Sequence, residues 1–432
     1  MKVRNPYSLI ALLKSNVVYD PYSYYKKLEK SLLTKFEMIN NENNNSTFLP
    51  SGLNGKALEI TLDDIPSRKE VREAIPKHCF TRQTNRSLFY LIRTVVIQIF
   101  VVLVGLSIPL TKEMIPFWVL YAFISGTTSM GLWVLAHECG HGAFSDNRKL
   151  ETLVGYCLHS FLLVPYFSWQ RSHAVHHAFT NHITDGETHV PVVISGDGKS
   201  EKKGGESEME SSLFFGKILY GFNQLFLHLI LGWPAYLLLG KTGGPRYGTS
   251  NHFWPTAPFS KKLWPSIWAK KVWISDWGIV FMLLLLTFWS LHFGFNSMIS
   301  LYLGPLVVVN IWLVIYTWLH HTDTDVPHLG ASQFSYMRGA FLSIDRPYGK
   351  ILDFLHHSIG STHAIHHIEP TVPHYHARLA TRILKEKFPK VYLYNPTPIH
   401  KSLWHIATNC VAVKKDYAID RYVWKQPNHS QS

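Results

Sequence analysis

Four stretches of the chain, residues 88–110, 115–136, 277–295 and 298–319, are apolar for long enough to cross a bilayer as helices. About twenty helical residues rise about 30 Å, which matches a hydrocarbon core. The first stretch carries Arg93 and Gln98, with Arg93 near enough to one end to snorkel, and the second holds no charge. Thr111–Met114 separates the first pair and almost nothing separates the second, so the four read as two tight hairpins. Two other apolar stretches are interrupted. Leu153–Phe167 is too short to span and contains His159, while Phe214–Gly240 is broken by Lys217, Asn223, Gln224, His228 and Pro234. Both are predicted to be interfacial or re-entrant helices.

The polar segments complete the layout. Residues 1–60, with the Asn-rich run 40–45, read as a largely disordered cytosolic tail, and Gly196–Ser212 as a solvated loop. Residues 61–415 form the expected membrane domain and 416–432 a C-terminal tail. Arg82, Arg86, Arg148, Lys149, Lys261, Lys262, Lys270, Lys271, Arg338, Arg346 and Lys350 lie outside the hairpin turns. The first turn has only Lys112 and the second has no basic residue, so both termini and the long middle segment are assigned to the cytosol. The predicted fold class is an all-α integral membrane protein, with four transmembrane helices in two hairpins, interfacial helices and a cytosolic cap.

Composition agrees with that layout. Charged residues are 16% of the chain and hydrophobic residues 47%; soluble domains carry about 25% charged residues. The formal charge of +13 comes with no basic, aromatic-interleaved module, which argues against nucleic-acid binding and for anionic lipid at the span ends. The start Met1-Lys2-Val3-Arg4 lacks the apolar core of a signal peptide. Cys79, Cys139, Cys157 and Cys410 form no CxxC pair, so neither a disulfide framework nor a cysteine-type zinc site is expected.

Histidine changes the picture, with 25 residues that cluster. His137-Glu138-Cys139-Gly140-His141 follows the second span; His173-Ala174-Val175-His176-His177 and His363-Ala364-Ile365-His366-His367 share one spacing. Side chains at i, i+3 and i+4 lie on one helical face, so each box can aim two or three imidazoles at one place. His137, His141, His173, His176, His177, His363, His366 and His367 are too many for a single ion, which takes three or four protein ligands, and suit two. Imidazole alone does not choose between iron, zinc and copper. At the end of the fourth span, His321 is preferred over His320 as a ninth ligand. His182, His189, His356, His357, His374 and His376 flank the boxes as candidate orienting groups, and the remaining histidines, including His78, are taken as unrelated.

Other chemistries fit parts of this pattern. His137-Glu138-Cys139-Gly140-His141 also matches HExxH, in which Glu138 would activate a zinc-bound water for peptide hydrolysis, but that leaves two boxes unexplained. A histidine-lined transporter would place its ligands near mid-membrane rather than at span ends. A di-metal centre that hydroxylates or epoxidises an acyl chain shares the same ligands.

Several long stretches carry a resemblance: Ile75–Phe80, Ala136–Asp146, His159–His177, Leu342–Gly349, Thr362–His376 and Tyr394-Asn395-Pro396-Thr397-Pro398. Over about residues 60–415 the chain resembles the membrane fatty acid desaturases, within them the acyl-lipid enzymes that act at the twelfth carbon or the omega-3 position. The resemblance implies two iron ions held by the eight box histidines, a fatty-acyl lipid substrate, O2, and residence in the endoplasmic reticulum membrane. With no nicotinamide fingerprint and no haem-binding His-Pro-Gly-Gly segment in the chain, it implies a separate cytochrome b5-type electron donor. Pro165–Trp169 looks like the twelve-position enzymes; Gly142, Leu319-His320-His321 and Pro370 look like the omega-3 ones, toward which the motifs lean slightly. Nothing in the pattern sets an oligomeric state.

Overall fold

The computed structural model describes residues 52–194 and 216–425. Residues 1–51 of the tail expected over 1–60, the loop at 196–212 and the end of the C-terminal tail fall outside the described residues. Helix α1 (Arg68–Ala74) opens with a capping box: the Ser67 hydroxyl accepts from the Glu70 amide, and the Glu70 carboxylate accepts from the Ser67 amide. In α2 (Thr84–Leu106) the side chains of Phe89, Ile92, Val96, Ile99 and Leu103 are exposed at steps of three and four residues. That is one continuous apolar helix face, which lipid would cover.

Helix α3 (Ile115–His141) begins with Pro116 in its first turn and is buried on all sides from Ser125 to Cys139. A side chain at Gly126 would meet the Pro305 carbonyl at 2.4 Å, so glycine there lets α3 approach its neighbour backbone to backbone. The helix stops at Gly142, whose φ of 73° suits a left-handed cap, and this leaves His137 and His141 in its last turns. Helices α4 (Arg148–Phe161) and α5 (Tyr166–Ala178) meet at a 103° bend. The Asn147 side chain caps α4 by accepting from the Lys149 and Leu150 amides.

Helix α6 (Gly216–Leu239) contains a π-helical turn at Leu227–Leu231. Helix α7 (Ile267–Phe293) exposes Trp277, Phe281, Leu284, Phe288 and Leu291, a second apolar stripe. Helix α8 (Phe295–His321) packs along α3 and ends in buried His320 and His321. By length and composition, five helices could cross a membrane: α2, Lys112–His141, α6, α7 and α8. The bent α4–α5 pair is a sixth candidate. The fold is thus mostly helical with several apolar helices, as expected, and α6 runs through the stretch that its polar residues were expected to break, with the π-helical turn as its one irregularity.

Beyond α8 the chain builds the cap: α9 (Tyr336–Phe341), α10 (Gly349–Leu355), α11 (His363–Ile368), α12 (His374–Lys387) and α13 (Ile399–Asn409). Here the all-α expectation needs correction. Strands β1 (Val193–Ile194), β2 (His328–Leu329), β3 (Ile344–Asp345), β4 (Leu393–Tyr394), β5 (Ala412–Asp416) and β6 (Arg421–Lys425) make a four-stranded sheet in the order β1-β5-β6-β2 and a parallel β3–β4 pair. Both expected domain edges also move outward. Leu53, Ala57 and Ile60 are buried in one cluster with Leu329, Phe341, Ile344 and Ile365, so the ordered body begins upstream of residue 61. The β5–β6 hairpin carries it past residue 415, and the Arg421 guanidinium donates to the Leu58 carbonyl at 2.8 Å.

Candidate metal centre

The last turns of α3 present His137 and His141, and α5 presents His173 and His177, each pair at the i, i+4 spacing that stacks side chains on one face. Their Nε2 atoms converge: His137 and His173 are 2.9 Å apart, His137 and His141 3.3 Å, and His173 and His177 3.1 Å. His366 of α11 closes the group, its ring centroid 4.5 Å from that of His137 and 4.6 Å from that of His177. One nitrogen from each of these five rings lies within 4.8 Å of all the others.

A second group forms beside the first. The Nε2 atoms of His176 and His321 are 3.1 Å apart, those of His321 and His363 3.0 Å, and those of His363 and His367 3.1 Å. The two HxxHH boxes therefore cross over. The second box sends its i and i+4 rings to the first group and its i+3 ring, His176, to the second. The third box does the reverse, with His363 and His367 in the second group and His366 in the first. His177 and His367 stack face to face across the divide, 4.0 Å between centroids and 8° from parallel.

These donors suit divalent ions. An ion about 2.1 Å from two imidazole nitrogens at a right angle would hold them about 3.0 Å apart. The hydrogen-bond network also fixes one tautomer. Thr180 donates its hydroxyl proton to the His176 carbonyl at 2.7 Å, so toward His367 Nδ1, 3.1 Å away, it can only accept. His367 thus carries its proton on Nδ1 and turns a bare Nε2 lone pair into the group. Thr188 Oγ1 lies 2.7 Å from His176 Nδ1, and the buried Nε2 of His366 has no hydrogen-bond partner among the described residues. Burial first, and neighbouring imidazoles second, hold His363, His366 and His367 well below the usual imidazole range, which keeps them neutral as metal binding requires.

Distant elements brace the cage. Asp345 of β3 accepts from the Ala364 amide and the Tyr392 hydroxyl, each at 2.8 Å, and so holds the start of α11. Burial pushes the Asp345 carboxyl up to about 7. Arg346 is fully buried; it pairs with Asp323 at 2.9 Å, donates to the Leu319 carbonyl at 2.8 Å and to Ser402 at 2.8 Å. It thereby clamps the end of α8, where His321 sits. His320 is turned the other way, its Nδ1 donating to the Ile344 carbonyl and its Nε2 3.3 Å from the Tyr348 hydroxyl. Trp133 stacks on His137 and Trp169 on His173, closing the cage with aromatic surface.

Glu138 lies behind the cage. Its Oε2 accepts from the His374 amide at 2.9 Å, and its Oε1 is 4.0 Å from Nδ1 of His137, the nitrogen opposite the one that faces the other histidines. A water-activating glutamate would have to reach the metal-facing side, so the protease reading of this segment loses its base.

All nine histidines singled out in the sequence come together. Of the flanking ones, His182 accepts from the Thr184 and Asp185 amides, and His356 is held between Tyr316 and the Thr127 carbonyl; both serve local structure. His357 lies by Arg93 and Thr94, and His189 is 6.0 Å from the His321 ring. Sequence reasoning missed Thr180, Thr188, Asp323, Asp345 and Arg346, whose roles depend on partners far along the chain.

A bundle of apolar helices topped by a cage of neutral imidazoles defines a membrane protein able to hold metal. The family model for fatty acid desaturases matches residues 115–398. The chain is 37% identical to a Delta(12)-fatty-acid desaturase of Arabidopsis thaliana, covering 82% of this chain and 88% of that protein. It is also 37% identical to an omega-6 fatty acid desaturase, endoplasmic reticulum, of Brassica juncea (80% and 87% covered) and 34% identical to a Delta(12) fatty acid desaturase of Mortierella alpina (79% and 86%). The chain belongs to the fatty acid desaturase family and is an oxidoreductase that acts on fatty-acyl lipid with O2.

Proposed function

We propose that this enzyme inserts a cis double bond at the twelve position of a monounsaturated acyl chain, using two iron ions held by the nine histidines. His137, His141, His173, His177 and His366 hold one ion; His176, His321, His363 and His367 hold the other. The observation that carries the reading is the pair of adjoining imidazole groups, five and four rings, built by crossed boxes. The twelve position is favoured by the relatives, described as Delta(12) or omega-6 enzymes. Gly142, one of the features that leaned toward omega-3, has a simpler reason: it caps α3 at positive φ with Arg148 packed against it.

The reaction removes two hydrogens from adjacent methylenes that no neighbouring group acidifies, so side-chain acids and bases cannot drive it. Bound iron would supply the oxidising power, and the balance is one acyl CH2–CH2, O2, two electrons and two protons going to one cis CH=CH and two waters. The protein fixes the imidazoles, keeps them neutral and excludes bulk water with Trp133 and Trp169. The two electrons come from a separate cytochrome b5-type protein that docks on the basic cytosolic face.

Membrane topology follows from parity. His137, His176, His321 and His367 meet in one place, so the chain crosses the bilayer an even number of times between any two of them. Of α6, α7 and α8, which lie between His177 and His321, only two can cross. We assign these to α7 and α8, with α6 and the bent α4–α5 pair lying along or re-entering the interface, four crossings in all. Both termini and the cage then share one side of the endoplasmic reticulum membrane, and the basic residues outside the hairpin turns assign that side to the cytosol.

Expression in a host that makes only monounsaturated fatty acids tests the substrate. The expected product is a diene formed from endogenous oleoyl chains. A triene that appears only when linoleate is fed would assign the omega-3 position, and hydroxylated or epoxidised chains would change the reaction outcome. The ninth ligand has its own test: His321→Ala is expected to lose iron and activity, while His320→Gln keeps bound iron. Equal iron loss in both variants would remove the distinction drawn from their opposite orientations.

A further inference from the structure

A third cluster lies apart from the cage. The 3-10 turn Lys77–Phe80 packs beside the start of α12, and there the Cys79 sulfur and one ring nitrogen each of His78 and His376 lie within 4.8 Å of one another. The three residues belong to segments almost three hundred positions apart in sequence, so no local spacing announces them. Cys79 is fully buried, His376 is only 8% exposed, and His78 faces solvent. The Nε2 atom of His376 is buried with no hydrogen-bond partner among the described residues. Leaving such a group unsatisfied costs about 1–3 kcal/mol, a cost that an ion bound between this imidazole, the thiol and the second imidazole would remove.

We propose that His78, Cys79 and His376 form a third, mononuclear metal site for a zinc-class divalent ion. The donor set decides the class: one thiolate and two imidazoles are borderline-soft and match tetrahedral zinc sites, whereas the cage offers only nitrogen. Binding replaces the Cys79 thiol proton with the metal, releasing one proton and forming one metal–sulfur bond. Exposed His78 gives the ion a way in from water, and the fourth position stays open to water or a small anion. When filled, the site ties the segment ahead of α2 to α12, the helix that follows the third histidine box. Zinc there would brace the cap without taking part in desaturation.

Cobalt(II) tests this directly, because a thiolate–cobalt bond absorbs in the near ultraviolet and a cobalt ion held by histidines alone does not. The full-length, iron-loaded enzyme in detergent is titrated with Co2+. One equivalent of thiolate–cobalt absorption is expected, unchanged in Cys157→Ser and absent in Cys79→Ser. His78→Ala, at a solvent-facing position that does not endanger folding, is expected to weaken cobalt binding at least about tenfold while iron content stays the same. Absence of the sulfur band, or a band that survives both Cys79→Ser and His78→Ala, overturns the site. Neither result touches the cage, whose iron is counted separately in the same samples.

Discussion

Replacing His176 or His366 with alanine is expected to abolish desaturation and to lower bound iron from close to two per chain to one or fewer. Each is the lone member of its box in its group: His176 is the second box's contribution to the second group, and His366 the third box's contribution to the first. Removal leaves a gap that the neighbouring turns cannot fill, because the other rings of each box already point to the opposite group. Metal analysis of purified variants, alongside fatty-acid profiles of the expressing host, reads both losses. One zinc per chain with peptidase activity, or full iron in an inactive His366→Ala, would contradict the assignment.

The second large effect is on stability. Arg346→Ala is expected to destabilise the folded protein by about 3–5 kcal/mol, since it leaves the Asp323 carboxylate buried without its countercharge. Both side chains are almost wholly inaccessible, and Arg346 also ties the Leu319 carbonyl to Ser402. Denaturant unfolding in detergent measures the loss, and iron content should fall with it because His321 sits on the clamped end of α8. Arg346→Met combined with Asp323→Leu is expected to recover most of the stability, as an apolar pair avoids burying two charges. If the double variant is no better than Arg346→Ala, the pair's own charge balance is not what matters.

The cage was legible in sequence because imidazoles three and four positions apart on a helix must share a face. That rule singled out eight residues, and the expected return of the fourth span to the same face singled out His321; the nine rings lie together in the fold. The bracing was not legible. Thr180 meets His367 across 187 positions, and Asp345 meets Tyr392 across 47, contacts that only the folded cap creates. The two-residue strands β1 to β4 are too short to show an alternating pattern. Leu53, Ala57 and Ile60 do carry helical spacing, but they are scattered among polar residues that read as tail. In α6, the polar residues that argued against a span are spread along a helix whose Ile218, Phe222 and Phe226 stay exposed.

The crossed boxes also set a timetable for biosynthesis. A ribosome delivers His137 through His177 early, yet that group lacks its fifth ring until His366 emerges, after every apolar helix has been translated. The other group waits for the same short helix, because His363 and His367 arrive with His366. Neither imidazole group is therefore complete in a nascent chain, and any metal that the groups hold would be captured last. A chain truncated anywhere before residue 363 would insert in the membrane with both cages open.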